Sequence, residues 1–301
     1  SAGGGGRGMR RVNTAEEFQQ LWYTCQEEAK SAFGEGALYL EKFLERPRHI
    51  EIQLVGDKKG NIIVFPERDC SIQRRHQKLI EESPSPFVDE KLRRKLYKFA
   101  YRLAKKIGYI STGTIEFLVD SYGNPYFMEM NTRIQVGHPI TELISGYDLV
   151  KSQILVAQGN KLAINQKSVR LNGHAIECRI NAEDPSKNFI PSPGRIEKLV
   201  LPGGPGIRVD THIYQGYFIP PYYDSLVMKI ISYGRNRQEA IARMTRAFDE
   251  TVIEGIKTTI PLYKKIFAHP IFLSGRYSAK WLENFLEVDG DKESSKHSGI
   301  E

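Results

Sequence analysis

The order of apolar and polar residues predicts helices along much of the chain. Thr14 and Glu17 form a capping box, and the apolar residues after them recur every three or four positions. This pattern predicts a helix from about Asn13 to the glycines at 34 and 36. The same periodicity predicts further helices over residues 89–107, 147–158, 237–251, 259–267 and 278–286.

Short apolar stretches bounded by turn residues predict strands between these helices. They cover residues 37–42, 50–55, 62–65, 113–120, 125–131, 174–180, 194–200 and 225–233. The mixture predicts an α+β fold. The polar stretch over 159–172 predicts a boundary, so we expect one domain over residues 1–160 and a second over 161–288. The charged, serine-rich residues 289–301 are expected to form a disordered tail.

Composition narrows the class of protein. The chain has 301 residues, of which 40% are hydrophobic and 26% charged, as in a folded domain. No apolar run approaches the roughly 18 residues that a transmembrane helix needs. The three cysteines are widely spaced and lack a CxxC motif, which argues against a disulfide framework or a zinc ribbon and favours a reducing, intracellular compartment. The net charge of +7 is spread along the chain, which favours a phosphate-bearing small molecule over nucleic acid.

The strand pair at 113–131 suggests a metal site. If Asp120 pairs with Pro125 across a four-residue turn, Glu116 and Glu129 lie directly opposite each other. Asn131 points to the same face and adds a third oxygen ligand, a set that suits Mg²⁺ or Mn²⁺. The alternative is a solvent-facing pair of hydrated carboxylates. The apolar residues around them favour a partner for the acids, but the pattern by itself leaves both interpretations open.

Three further segments carry residues that could bind a ligand. The glycine run at 3–6 could close over phosphates, although such runs are more often linkers. Residues 67–78 carry a dense set of charges that could hold a triphosphate and a small anion, or form a solvated surface loop. Arg133 follows the predicted metal strand. Arg179 lies in a second polar cluster, where it could equally form a structural ion pair.

Seven segments resemble biotin carboxylase of the ATP-grasp superfamily. They are GGGGRGMR (3–10), EKFLERPRHIEIQ (41–53), ERDCSIQRRHQKLIEE (67–82), GTIEFL (113–118), MEMNTRIQV (128–136), HAIECRINAEDP (174–185) and PPYYDSLVMK (220–229). The resemblance implies the C-terminal part of an ATP-grasp domain followed by the biotin carboxylase C-terminal domain.

The resemblance also implies roles for individual residues. ATP would be bound by Gly5, Gly6, Met9, Glu41, Lys42, Leu44, His49, Gln73, His76, Glu116 and Glu129. The metal would be held by Glu116, Glu129 and Asn131. Bicarbonate and biotin would be bound by Lys78, Arg133, Gln135, Val136 and Arg179, with Lys78 and Arg133 catalytic.

The implied reaction uses ATP and Mg²⁺ (or Mn²⁺) to phosphorylate bicarbonate to carboxyphosphate, whose CO₂ is captured by biotin on a carrier protein. The implied partners are the biotin carboxyl carrier protein, a carboxyltransferase and a second copy of the full-length chain, with no nucleic acid and no membrane. The implied location is the cytoplasm, or the mitochondrial matrix or plastid of a eukaryote.

The chain departs from the family pattern at two places. The family begins with a Rossmann-like domain and carries two ATP-binding lysines before the glycine loop, so we expect that the domain and both lysines precede the first residue of this sequence. The family has QVEHP where this chain has Gly137, so the glutamate presumed to deprotonate bicarbonate is replaced. The alternatives are therefore a non-catalytic fragment that binds nucleotide weakly, or another ATP-grasp ligase.

Overall fold

The computed structural model describes residues 8–288. The helices are α1 (Ala15–Phe33), α2 (Glu90–Lys106), α3 (His138–Ser145), α4 (Leu149–Ala157), α5 (Arg237–Glu250), α6 (Ile260–Ala268) and α7 (Pro270–Leu273), and residues 281–288 are also helical. Single turns of 3₁₀ helix occur at Gln166–Ser168 and Pro185–Lys187.

The longer strands are β1 (Arg48–Gly56), β3 (Arg68–Arg74), β4 (Gln77–Ser83), β5 (Ser111–Val119), β6 (Pro125–Asn131), β7 (His174–Asn181), β12 (Ile207–Thr211) and β14 (Leu226–Gly234). The shorter ones are β2 (Ile62–Val64), β8 (Glu183–Asp184), β9 (Ile190–Pro191), β10 (Gly194–Arg195), β11 (Lys198–Val200), β13 (Phe218–Ile219) and β15 (Val252–Glu254).

One large sheet carries the candidate site. Its strand order is β12-β14-β7-β4-β3-β1-β5-β6, with β2 paired to β1. Strands from both halves of the sequence meet where β4 pairs with β7, so the sheet continues across residue 160. The remaining described strands form three two-stranded ribbons.

The structure divides into two compact units. The first contains the residues up to Glu45 together with Arg75–Gln77, and the second contains Arg46–Arg74 and the chain from Lys78 onward. In the first unit Thr14 caps α1 by accepting a hydrogen bond from the Glu17 amide, and Gly34 ends the helix with a positive φ of 72°. The helix predicted from the capping box is therefore confirmed.

Side chains along β1 and β5 alternate between an apolar face, which forms a core, and a polar face, which carries the candidate site. Ile50, Ile52 and Leu54 of β1 pack with Ile115 and Phe117 of β5. The apolar face of α2 covers these side chains with Leu92, Leu96, Ala100 and Ala104. The residues between them are polar and face the other side of the sheet, because successive side chains of a strand point in opposite directions. A second core, from β7 and β14 with α5 and α6, supports the other end of the sheet.

Some predicted elements are wrong. Residues 37–42 form no strand, because none of the described strands pairs with them. The stretch 194–200 is broken into β10 and β11, which pair with different partners. The predictions missed α3 and β12.

The largest omission is the hairpin of β3 and β4, which occupies the charged segment 67–83. Arg75 and His76 form its turn with φ of 48° and 65°, as the tight turns of hairpins require. The sequence did not predict these two strands because their buried residues are charged. Strands are normally recognised by alternating apolar residues.

Candidate active site

Charged residues lie in a row across the polar face of the sheet. Arg68 of β3 faces Glu51 of β1, Glu51 faces Glu116 of β5, and Glu116 faces Glu129 of β6. Side chains directly opposite in antiparallel strands have Cβ atoms about 4.5–5.5 Å apart, and like charges at that distance repel. The fold therefore needs cations or hydrogen-bond donors between these three carboxylates.

Lys78 separates the first two carboxylates. Its Nζ lies 2.5 Å from Glu51 Oε2 and 2.9 Å from Glu116 Oε1. On the other side, His49 Nε2 lies 2.6 Å from Glu116 Oε2. Burial by itself would raise the pKa of Glu116, but the His49 hydrogen bond and the Lys78 charge outweigh it and hold that pKa well below its usual range. Glu116 is therefore an anion held in place from two sides.

Asn131 separates Glu116 from Glu129. Its Nδ2 donates to Glu116 Oε1 at 2.9 Å and to Glu129 Oε1 at 3.1 Å. Glu116 is buried and Glu129 is exposed, so the group opens to solvent on one side. Two opposed carboxylates and an amide are hard oxygen ligands of the kind that Mg²⁺ prefers, so the donor set fits a divalent cation once the amide presents its oxygen.

A β-bulge creates this opposition. Val119, and not Asp120 as predicted, faces Pro125, because the Asp120 carboxylate binds the amides of Tyr122 and Asn124 inside the turn. The register shifts between Glu116 and Phe117, where β6 accommodates Met128 as an extra residue. The predicted pairing of Glu116 with Glu129 is confirmed, but the predicted turn is one residue out of register.

Arg68 fixes the centre of the row. It is fully buried, and its five N–H groups donate to the side chains of Glu51, Gln53, Thr114, Gln135 and Thr141. A guanidinium has five donors, so all of them are satisfied. The buried charge is balanced by Glu51, whose Oε1 lies 2.5 Å from Arg68 Nε.

The segment that follows β6 is held in part by hydrogen bonds to Glu116 and Arg68. Gln135 donates from Nε2 to Glu116 Oε1 at 2.7 Å, and its Oε1 accepts from Arg68 at 3.3 Å. The Val136 carbonyl accepts from Lys229 Nζ of β14 at 3.1 Å. Arg133 is exposed, and its guanidinium donates to the Ile134 carbonyl at 3.2 Å.

Arg179 of β7 lies beside a buried carboxylate. Its guanidinium donates to Glu81 Oε1 of β4, and its own side chain is 19% exposed. Glu81 also accepts a hydrogen bond from the Cys70 thiol at 3.5 Å. Burial would raise the pKa of Glu81, but the charges of Arg179 and Lys78 outweigh it and hold the pKa below its usual range. Arg179, predicted as a bicarbonate ligand or a structural ion pair, is in an ion pair.

The remaining predicted ATP ligands fall into three groups. Gly5 and Gly6 lie outside the described residues. Met9, Glu41, Lys42, Leu44 and the exposed His76 belong to the first compact unit. Gln73 lies half-buried near the end of β3 in the second unit.

No individual site role was predicted for four residues of this network. Glu51, Arg68 and Glu81 are wholly buried charges, and Lys229 binds the Val136 carbonyl. All four lie in segments that carry the family resemblance. The sequence did show an unusual number of charged residues in these segments. Only the structure shows that these residues are buried and therefore need partners.

Comparison with known proteins identifies the family. Residues 1–165 match the family model of the carbamoyl-phosphate synthase L chain, ATP binding domain, and residues 177–284 match that of the biotin carboxylase C-terminal domain. The chain belongs to the biotin carboxylase family. The predicted fold, an ATP-grasp part followed by the biotin carboxylase C-terminal domain, is confirmed.

Relatives within the biotin carboxylase family are close in sequence. Biotin carboxylase of Nostoc sp. is 54% identical over 283 residues, which cover 94% of this chain and 63% of the relative. A pyruvate carboxylase subunit from Methanothermobacter thermautotrophicus is 52% identical over 95% of this chain and 58% of the relative. The chain thus spans about three fifths of the length of these relatives.

Solved structures of biotin carboxylases are similar to this chain in fold as well as in sequence. A biotin carboxylase–βγ-ATP complex from Campylobacter jejuni is 49% identical, with a TM-score of 0.89 over 94% of this chain and 63% of that one. The biotin carboxylase domain dimer of Hydrogenobacter thermophilus 2-oxoglutarate carboxylase, in complex with MgADP, ADP and bicarbonate, is 50% identical, with a TM-score of 0.88 over 94% of this chain and 63% of that one.

Proposed function

We propose that this chain is the part of a biotin carboxylase that binds MgATP and bicarbonate and carboxylates biotin. The supporting observation is the row of Glu51, Glu116 and Glu129, bridged by Lys78 and Asn131 and contiguous with Gln135. In this proposal, acidic ligands for a cation would lie beside donors for an anion, which phosphoryl transfer requires.

The acidic end of the row would hold the metal. Glu116, Glu129 and Asn131 would bind Mg²⁺ or Mn²⁺, which neutralises charge on the phosphate oxygens of ATP. His49 would keep Glu116 ionised and oriented through its 2.6 Å hydrogen bond. Met9, Glu41, Lys42, Leu44 and the other ATP ligands implied by the resemblance remain part of the proposal.

The basic end would hold bicarbonate through Lys78, Arg133, Gln135, the Val136 backbone N–H and Arg179. Bicarbonate passes its proton to water, and its oxygen attacks the γ-phosphorus while the bond to the β,γ-bridging oxygen breaks, giving carboxyphosphate and ADP. Carboxyphosphate then splits into CO₂ and phosphate; the phosphate takes the N1′ proton of biotin, and N1′ forms a bond to the CO₂ carbon. Lys78 and Arg133 would balance charge that develops in these steps, since fixed cations lower the energy of an anionic transition state.

The division near residue 160 is part of the proposal. We assign residues 1–160 to the ATP-grasp part and 161–288 to the C-terminal domain, which is supported by the gap between the two matched family models. The carrier protein, the carboxyltransferase and a homodimer of the full-length protein are proposed partners. We propose a cytoplasmic or plastid location. Residues 8–288 contain no helix that is both long and apolar enough to cross a bilayer.

A non-catalytic role is the second candidate. Because the chain spans 63% of its Nostoc relative, it could bind nucleotide weakly without turnover. Another ATP-grasp ligase fits less well, because the model of the biotin carboxylase C-terminal domain matches residues 177–284.

The test compares Lys78→Gln with Arg94→Gln, a control at an exposed position of α2. ADP release and carboxybiotin formation from free biotin are measured with MgATP, with and without bicarbonate. We expect bicarbonate-dependent turnover by the unmodified chain, no change in the control, and a loss of about 10²–10³-fold in Lys78→Gln. Nucleotide binding without bicarbonate-dependent turnover by the unmodified chain would favour the non-catalytic role.

A further inference from the structure

Gly137 lies against the Glu81 carboxylate. A Cβ atom on Gly137 would lie 1.8 Å from Glu81 Oε2 and 2.6 Å from its Cδ, far inside van der Waals contact. The backbone of Gly137 has φ of −77°, which any residue adopts. The space that a side chain at 137 would need is therefore filled by the carboxylate end of Glu81, whereas the backbone conformation itself does not call for glycine.

From its position beside Gly137, the Glu81 carboxylate contacts Arg179. The Glu81 carboxylate accepts from the Arg179 guanidinium, while Arg179 Nε has no hydrogen-bond partner among the described atoms. Arg68 Nε lies 4.0 Å from Glu81 on the other side. The orientation of Arg179 thus depends on one buried carboxylate, whose position depends on the missing side chain at 137.

The neighbouring carboxyl group of Glu177 does not compete with Glu81 for the charge of Arg179. Glu177 is directly opposite Glu81 in the pairing of β4 with β7. It is fully buried, and neither of its oxygens has a hydrogen-bond partner among the described residues. Burial and the charge of Glu81 raise the pKa of Glu177, which favours its protonated, uncharged form at neutral pH. A single negative charge therefore faces Arg179.

We propose that Glu81 is the positioning residue for Arg179 and that Gly137 is the residue that admits its carboxylate. The inference rests on the proposed function, because Arg179 is assigned there to bicarbonate. It deepens that function by giving position 137 a second effect: any side chain at 137 displaces Glu81 and thereby releases Arg179.

The test is a double-mutant cycle of Gly137→Ala and Glu81→Gln. The control is Gly203→Ala, because a Cβ on Gly203 meets no atom within 4 Å. The side-chain Nε–Hε resonance of Arg179, assigned with Arg179→Lys, is followed by NMR, and the unfolding equilibrium is measured in urea. Glu81→Asp replaces Glu81→Gln in the cycle if the latter fails to fold.

We expect Gly137→Ala and Glu81→Gln to shift the Arg179 resonance in the same way, and Gly203→Ala to leave it unchanged. Their effects on the unfolding constant should deviate from additivity by at least about threefold, as for residues in contact. An unchanged Arg179 resonance in Gly137→Ala, or additive effects, would overturn the inference.

Bicarbonate binding separates this inference from the proposed function. We expect both variants to weaken bicarbonate affinity by about tenfold, the loss of one charge-assisted contact, while the affinity for ATP stays unchanged, which a merely destabilised fold would not produce. If the unmodified chain binds no bicarbonate, the proposed function fails, and the Arg179 resonance still decides the inference. Unaltered bicarbonate affinity in both variants, with binding by the unmodified chain, would overturn the positioning role.

Discussion

Glu177 is a buried acid whose charge the fold suppresses. Its two oxygens lack hydrogen-bond partners among residues 8–288, and burial together with the Glu81 charge raises its pKa to about 8. Lys229, Arg179 and Arg68 oppose this rise but do not cancel it. Because the folded protein binds a proton here that the unfolded chain releases above about pH 4.3, folding stability falls as the pH rises from about 4.3 toward 8.

We therefore expect Glu177→Gln to raise the free energy of unfolding at pH 7.5 by about 1–3 kcal/mol. The gain should diminish toward pH 4.5, where the unfolded chain also holds the proton. Urea unfolding across this pH range measures both. A gain that is independent of pH would show that Glu177 is ionised in the folded protein.

Gly137→Glu tests the residue that departs from the family pattern. A carboxylate at this position can accept the bicarbonate proton, so the carboxylation rate at saturating bicarbonate should rise about a hundredfold. The new side chain also displaces the Glu81 carboxylate from Arg179, so the KM for bicarbonate should rise as well. Gly203→Glu is the control, and equal rates at saturation would mean that another group deprotonates bicarbonate.

The strand pair of β5 and β6 positions the proposed metal ligands as a unit. The bulge at Met128 lets Glu129 face Glu116 while residues nearer the turn keep a different register. Glu129→Gln removes one carboxylate from an exposed position, so the fold should persist while metal affinity falls.

We expect Glu129→Gln to abolish Mg²⁺-dependent ATP hydrolysis and to weaken Mn²⁺ binding, measured by electron paramagnetic resonance, by at least about tenfold. Glu254→Gln, on the exposed strand β15, should change neither. Normal hydrolysis in Glu129→Gln would remove Glu129 from the set of metal ligands.

Strand β4 is joined to the C-terminal half by Glu82. This carboxylate contacts His174 of β7, Arg237 of α5 and the Tyr277 hydroxyl. Burial raises the pKa of Glu82, but the His174 hydrogen bond and the Arg237 charge outweigh burial and hold the pKa far below its usual range. A depressed pKa contributes stability above the unfolded value of about 4.3, and this stability is lost as the pH falls below it.

Glu82→Gln should therefore lower the free energy of unfolding by about 3–5 kcal/mol at pH 7, the usual cost of breaking a buried ion pair. The difference from the unmodified protein should shrink below about pH 4. Glu90→Gln, at an exposed ion pair of α2, is the control and should cost less than about 1 kcal/mol. A difference that stays constant on acidification would contradict the assigned charge of Glu82.

The molecule as a whole should bind ATP weakly. The resemblance implies two ATP-binding lysines that are not among the residues of this sequence, and each charge-assisted contact contributes about 1.5–3 kcal/mol. Calorimetric titration with MgATP should give a dissociation constant well above micromolar. Micromolar binding would show that the contacts within this chain suffice.

Local signals in the sequence determined many of the elements. Thr14 and Asp89 cap α1 and α2 as their positions predict, because a cap depends only on residues within one helical turn. The apolar stretches at 50–55 and 113–120 likewise predicted strands, which β1 and β5 confirm. The family motifs identified the fold. The opposition of Glu116 and Glu129 was predicted from an assumed turn, and the bulge restores it although that turn is one residue out of register.

Long-range packing decided the rest. The charged segment containing Arg68 and Glu81 is a buried hairpin because partners on β1, β5 and β7 neutralise its charges, and those partners lie 17 to 98 residues away in sequence. The bulge at Met128 depends on how two strands accommodate each other beyond their turn. The space left free by glycine at 137 is filled by a carboxylate from another strand. Such features cannot be read from neighbouring residues, because register and burial exist only once distant segments are in contact.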